Sequence, residues 1–197
     1  MAGKRVLFIV EDDVDDFELF YAYYRMLEEG YKPVIASHAK YTDILRLDPA
    51  TGSVLRAERR IRGKRGAEFN VDITYAEALD MEWDALVVPG GRSPERARLY
   101  REAVMLVNRI AGDDKPVLAI CHGPLLLASA GILEGRRVTG HPGIADDLKN
   151  AGALYTGGPA ERDGCIVTAR HTTTVHEGLR LFLEVLRRNP CREPPSR

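Results

Sequence analysis

Cys121 closes the run Lys115-Pro-Val-Leu-Ala-Ile-Cys121 and is followed at once by His122-Gly123-Pro124-Leu-Leu-Leu-Ala. An apolar strand that stops at a cysteine, with a helix opening directly behind it, makes the strand–turn–helix elbow that presents a nucleophile. The first N–H groups of such a helix favour thiolate over thiol, so this context predicts a lowered cysteine pKa and a sulfur aimed at solvent. The competing assignment is a small buried core cysteine, a common environment for the residue type. His122 adjoins the thiol in sequence, but neighbouring side chains in a turn usually diverge, and a third group is then needed to orient the imidazole.

Two other loops carry candidates. The first is Glu11-Asp-Asp-Val-Asp15-Asp16-Phe17-Glu18, in which Glu18 stands among Phe17, Leu19 and Phe20. A carboxyl held in apolar surroundings beside a thiol acquires a raised pKa and can carry protons; the bland assignment is a first-turn acid complementing the helix dipole. The second is Pro89-Gly90-Gly91-Arg92. Gly90 and Gly91 would let backbone N–H groups approach a substrate oxygen, as an oxyanion hole needs, and would equally serve a tight turn. Ser93-Pro94-Glu95 has the pattern of N-cap, first helical proline and first-turn acid, which accounts for Glu95 without chemistry.

The elements that position these loops alternate in type. Continuous apolar runs at 6–10, 33–36, 85–89 and 117–120 alternate with helical-period segments near 17–29, 100–111 and 125–130. This is the pattern of a parallel sheet covered on both faces, hence an α/β, doubly wound fold. In such a sheet the loops after Val10, Val88 and Ile120 meet where strand order reverses. Further on come a segment at 136–139, a short helix at 144–151 ended by Gly152, a strand pair around 153–155 and 165–169, and an amphipathic helix at about 174–187. Residues 189–197, rich in Pro and Arg, have the character of a frayed tail.

The connection at 38–73 exceeds the usual 2–6 or so residues. Within it, Asp43-Ile-Leu-Arg-Leu and Ser53-Val-Leu-Arg-Ala flank Asp48-Pro-Ala-Thr-Gly52, which predicts a protruding β-hairpin at about 43–60, inside an insertion of about 40–66. The basic cluster Arg59, Arg60, Arg62, Lys64, Arg65 behind it is expected to be a solvated or subunit-contacting face rather than an anion site.

Composition bounds the function. At 197 residues and 45% hydrophobic content, one domain over 1–188 with a full core is expected. A formal net charge of −1 gives no general electrostatic case for nucleic acid or an anionic membrane as partner. The three cysteines, Cys121, Cys165 and Cys191, form no CxxC pair and suit a reducing compartment. The first apolar run is too short for a signal peptide or a membrane span, so a cytoplasmic protein is expected. The five histidines, His38, His122, His141, His171 and His176, show no ligand spacing with carboxylates or thiols on one helix face, so neither metal nor cofactor is expected. His141 and His171 are candidates for the pocket lining.

Taken together, Ala119-Ile-Cys121-His122-Gly123-Pro124, Val87-Val-Pro89-Gly90-Gly91-Arg92-Ser-Pro-Glu95-Arg96, Asp15-Asp16-Phe17-Glu18-Leu19 and Gly135-Arg-Arg-Val-Thr139-Gly-His141-Pro142-Gly143-Ile144 closely resemble the ThiJ/PfpI family. The resemblance spans nearly everything except the hairpin and the tail. It implies a flavodoxin-like α/β sandwich without cofactor, and an activity among intracellular cysteine peptidase, cofactor-independent glyoxalase, deglycase and stress chaperone. It implies Cys121 as nucleophile, Glu18 hydrogen-bonded to it and His122 beside it. In peptidase-type members the acid orienting this histidine comes from a neighbouring subunit, at the position of Glu95, in dimers that build hexamers. His141 stands where those members have a tyrosine, as some plant glyoxalases also differ there, which tilts the expectation toward aldehyde chemistry on methylglyoxal or its adducts. A small aldehyde or a peptide is the expected substrate, and a homo-oligomer the expected state.

Two other classes fit poorly. A phosphoacceptor receiver domain shares an acidic loop after its first strand but needs an aspartate where this chain has Pro89-Gly90-Gly91 and a lysine where it has Cys121-His122. A class I glutamine amidotransferase needs a downstream His-x-Glu, whereas His176-Glu177 lacks the spacer and His171 precedes threonines. A redox sensor in which Cys121 is oxidised stands as a third alternative.

Overall fold

The computed structural model describes residues 3–188; the predicted tail lies outside them. Elements follow one another as β1 (Arg5–Ile9), α1 (Asp16–Glu28), β2 (Lys32–Ser37), β3 (Tyr41–Leu47), β4 (Val54–Glu58), β5 (Arg60–Arg62), β6 (Glu68–Asn70), β7 (Ile73–Thr74), α2 (Tyr75–Leu79) and β8 (Ala85–Val88). The second half continues with α3 (Ser93–Ala97), α4 (Arg101–Gly112), β9 (Val117–Ile120), α5 (Pro124–Ser129), β10 (Arg137–Val138), α6 (Ala145–Asn150), β11 (Leu154–Tyr155), β12 (Ala160–Asp163), β13 (Ile166–Ala169) and α7 (Val175–Arg188).

The apolar runs become the inner strands because a strand covered on both faces must be apolar on both. They form a seven-stranded sheet in the order β12-β13-β9-β8-β1-β2-β7, parallel except for the antiparallel pair of β12 with β13. Side chains alternate between two cores, as strand geometry requires. Leu7, Ile9, Leu86 and Val88 pack with Tyr75, Leu106, Ile110 and Leu126 of α2, α4 and α5. Val6, Phe8 and Val87 pack on the opposite face with Leu19 and Met26 of α1 and Phe182 and Leu186 of α7. The doubly wound α/β class is therefore the observed one. No described helix is long and apolar enough to cross a membrane.

The expected pairing of 153–155 with 165–169 does not form: β11 pairs in parallel with β10, and β13 pairs with β12. Strand β12 is Ala-Glu-Arg-Asp, an edge strand whose polar composition hid it. The predicted hairpin is present as β3 and β4, but a second one, β5 with β6, follows it.

The basic cluster at that second hairpin is not a simple solvated face, because it docks on the acidic loop after β1. Arg59 Nη2 reaches Glu11 Oε2 and Asp12 Oδ2, both at 3.0 Å, and Lys64 Nζ meets Asp15 Oδ2 at 2.5 Å. The carboxylate of Asp16 accepts the backbone N–H groups of Arg65 and Ala67 at 2.8 and 2.9 Å. Opposite charges separated by about fifty residues in sequence thus neutralise each other. Glu11 is 2% exposed, and removing its arginine leaves a buried carboxyl among Ser37, His38 and Tyr75 with no guanidinium to neutralise it. Arg59→Met is expected to cost about 2–3 kcal/mol and lower the Tm by about 5–10 °C, measured by thermal unfolding.

Candidate active site

The carboxyl ends of β1, β8 and β9 bring the three loops together on either side of the strand-order reversal. The joins are backbone hydrogen bonds: Asp15 N–H donates to Gly90 O at 3.2 Å and Arg92 N–H to Asp13 O at 2.9 Å. Ser93 completes the contact by accepting the Glu11 N–H on its Oγ at 2.7 Å. Its side chain therefore faces the loop junction and does not cap α3, as its sequence position suggested.

Cys121 has φ +59°, a left-handed conformation that L residues adopt rarely and that elbows impose on their nucleophile. Neighbouring backbone holds it there, since its N–H donates to Ala169 O at 2.8 Å and its carbonyl accepts the His141 N–H at 2.9 Å. The residue is 4% exposed, so the sulfur is not aimed into open solvent. Burial, then the repulsion of Glu18, pushes the thiol up to about 12, against the pull of the Gly91 and His122 N–H groups. The expected depression by the helix terminus is thus overturned: two amides do face the sulfur, but desolvation of a thiolate outweighs them.

Glu18 is fully buried. Burial and the adjacent Asp15 anion push its carboxyl up to about 7, while hydrogen bonds from Thr172 and Gly90 act the other way. Oε2 accepts the Gly90 N–H at 2.7 Å and Oε1 the Thr172 hydroxyl at 2.8 Å. The Glu18 carboxyl and the Cys121 side chain both stand against Gly90: a Cβ added to that glycine would lie 2.6 Å from Glu18 Oε2 and 2.7 Å from Cys121 Cβ. Only a residue without a side chain permits this approach. Glu18 is therefore adjacent to Cys121, but its oxygens are engaged by Gly90 and Thr172 rather than by the thiol, which corrects the expected direct hydrogen bond. The Gly90 N–H is committed to Glu18, so among the two glycines only Gly91 turns an amide toward the sulfur. Two acidic groups this close in a dry site share one negative charge, because ionising both is opposed by burial and by mutual repulsion.

His122 does not diverge: its Nδ1 lies 3.3 Å from Cys121 Sγ. Burial lowers the His122 pKa, helped by His141, with Glu95 pulling it upward. The imidazole of His141 stacks on that of His122 with centroids 4.6 Å apart, and His171 lies 5.8 Å beyond His141. The three rings form a row beside the thiol, and His141 Nδ1 is fixed by the Gly143 N–H at 3.0 Å. Glu95 comes within electrostatic range of His122, but its carboxylate pairs with Arg92 Nε at 3.5 Å. Among the described residues no group of three His, Cys, Asp or Glu side chains is arranged to hold a metal ion.

Sequence reasoning missed Thr172 and the pairing of Lys64 with Asp15. Asp15 is fully buried, caps α1 through its Oδ1, and meets both Lys64 and Thr172 through Oδ2. The N-cap role of Asp15 was readable from its place before the helix; nothing in a run of three threonines singles out the first.

A family model described as the DJ-1/PfpI family matches residues 4–185. The deglycase PfpI of Pyrococcus furiosus is 38% identical over 183 residues, covering 93% of this chain and 99% of that protein. Among solved structures, a two-domain protein of Anabaena variabilis with DJ-1/ThiJ/PfpI-like and ferritin-like domains matches at TM-score 0.80 and 29% identity, over 93% of this chain and 48% of that one. A ThiJ/PfpI domain protein of Brachyspira murdochii shares the fold at TM-score 0.80 and 22% identity, over 95% and 98% of the two chains.

Proposed function

Since the chain belongs to the DJ-1/PfpI family, we propose that it is a cofactor-independent deglycase and glyoxalase acting on methylglyoxal or its adducts, with Cys121 as nucleophile and Glu18 as proton carrier. The observation that carries this reading is the placement of the Glu18 carboxyl and the Cβ of Cys121 against Gly90, which brings the two residues next to each other; burial pushes that carboxyl up to about 7. A base poised near neutral pH both takes and returns a proton efficiently.

In this reading the Cys121 sulfur adds to the aldehyde carbon as the carbonyl π bond opens, and the thiol proton ends on the former aldehyde oxygen, giving a hemithioacetal. Glu18 takes the proton from that carbon and returns it to the neighbouring carbonyl carbon, while the hydroxyl proton moves to the other oxygen, giving a lactoyl thioester. Water cleaves the thioester, releasing lactate and restoring the thiol. The net change is addition of one water with no oxidant or reductant. The Gly91 and His122 amides face the region where oxyanion character develops. Where the aldehyde is carried on an amine as a hemiaminal, the sulfur bonds to that carbon as the C–N bond breaks, the amine leaves with the thiol proton, and the same hemithioacetal goes on to lactate.

A second reading is a cysteine peptidase or amidase. It is favoured by the 3.3 Å contact of His122 Nδ1 with the thiol, and would need Glu95 of another copy to orient that histidine. A homo-oligomer belongs to this proposal. A redox sensor in which Cys121 is oxidised stands as a third reading.

Side-by-side turnover of methylglyoxal, a methylglyoxal-treated amine and a fluorogenic peptide by the intact protein tests the assignment. The aldehyde and its adduct are expected to be consumed with lactate formed in equal amount. Hydrolysis of the peptide at higher kcat/KM, with no lactate, would replace the first reading by the second.

A further inference from the structure

Thr172 opens a single 3-10 turn, Thr172–Thr174, that precedes α7. Its hydroxyl lies 2.8 Å from Glu18 Oε1 and 3.2 Å from Asp15 Oδ2. One hydroxyl has one proton to donate, so it can satisfy only one of these two buried carboxylates at a time. Lys64 settles the competition. Its ammonium sits 2.5 Å from the same Asp15 oxygen, while Asp15 Oδ1 accepts the N–H groups of Phe17 and Glu18. Asp15 is therefore well satisfied without the hydroxyl, and the shorter contact goes to Glu18.

We propose that Thr172 is a positioning residue for Glu18: its hydroxyl, freed from Asp15 by Lys64, occupies Oε1 and leaves Oε2, which also accepts the Gly90 N–H, as the oxygen that handles protons. The inference rests on the reading of Glu18 as proton carrier. No bond to Thr172 forms or breaks, and the transferred proton moves only between substrate and Glu18. A hydroxyl donating to a carboxylate stabilises the ionised form, so Thr172 also holds the Glu18 midpoint down against burial.

The groups that face Glu18 give the sign of the effect. Asp15, on its own helix, raises its pKa. Lys64 lowers it from the turn between β5 and β6, where Arg65 approaches Asp15 at 3.8 Å. Cys121 faces it from the elbow. His171, adjacent to Thr172, turns Nδ1 to the Thr173 hydroxyl at 3.4 Å rather than to Glu18.

The test is a 13C NMR titration of the intact protein, following the carboxyl resonance that disappears in Glu18→Gln. The wild-type midpoint is expected near 7, and Thr172→Val is expected to raise it by about one pH unit. Thr172→Ser, which keeps the hydroxyl, returns it to the wild-type value. Lys64→Gln also raises it, and the double variant Thr172→Val with Lys64→Gln moves it by less than the two separate shifts combined, since Lys64 acts partly through the hydroxyl. An unmoved midpoint in Thr172→Val, or equal shifts in the Val and Ser variants, would overturn the proposal. The titration needs no turnover, so a protein inactive on methylglyoxal and its adducts would defeat the functional reading while this measurement still decides the role of Thr172.

Discussion

Cys121→Ala is expected to lower kcat/KM for methylglyoxal by at least about three orders of magnitude, a loss of roughly 4 kcal/mol of transition-state stabilisation. The size follows from the covalent route: without sulfur no hemithioacetal forms, and Glu18 has no activated carbon from which to take a proton. Folding should survive, because alanine keeps the Cβ and the backbone bonds to Ala169 and His141 that hold the elbow involve no side-chain atom. The checks are lactate formation by steady-state kinetics and an unchanged circular dichroism spectrum. Retention of more than a tenth of wild-type activity by a folded variant would remove Cys121 from the mechanism and the proposed function with it.

Glu18→Gln is expected to abolish activity to a similar degree while making the protein more stable. Glutamine fits the same contacts: its carbonyl accepts the Gly90 N–H and its amide donates to the Thr172 oxygen, with no charge buried. The pH dependence fixes the sign. The Glu18 pKa rises from 4.5 to about 7 on folding. Between those values the unfolded chain has released the proton and the folded chain still holds it, so stability is lost as pH rises through this window. The total is about 3 kcal/mol, from roughly 1.4 kcal/mol per unit. At pH 8 the Gln variant should unfold about 5–10 °C above the wild type, with the gap shrinking toward pH 5. The wild-type kcat/KM should rise through the same window, since only the ionised carboxylate can accept a proton. A wild type more stable than the Gln variant at pH 8 would show that the carboxyl is not held under strain.

The expected strands and helices at 6–10, 17–29, 85–89 and 117–120 appear within one or two residues as β1, α1, β8 and β9, since apolar runs and helical periodicity are local properties. The elbow at Cys121 was legible for the same reason: a strand ending against a helix start leaves few conformations for the residue between them. The polar edge strand β12 and the short hairpin β5–β6 were not: β12 carries no apolar alternation, and β5 and β6, at three residues each with one buried apolar residue, are too short for theirs to register. The role assigned to the basic stretch failed on distance. Lys64 and Asp15 are far apart in the chain, and only the turn between β5 and β6 brings them together.

By itself the sequence determined a doubly wound sheet, the thiol at the end of the fourth apolar run in chain order and the acidic loop that had to lie near it, because chain direction and the right-handed crossover leave that arrangement little freedom. The tertiary structure decided the proton chemistry: a thiol raised rather than lowered, a carboxyl near 7, a histidine against the sulfur and a threonine on the carboxyl. Such properties depend on how much water each group loses and on which charges and donors arrive through space, and neither quantity is written in the order of the residues.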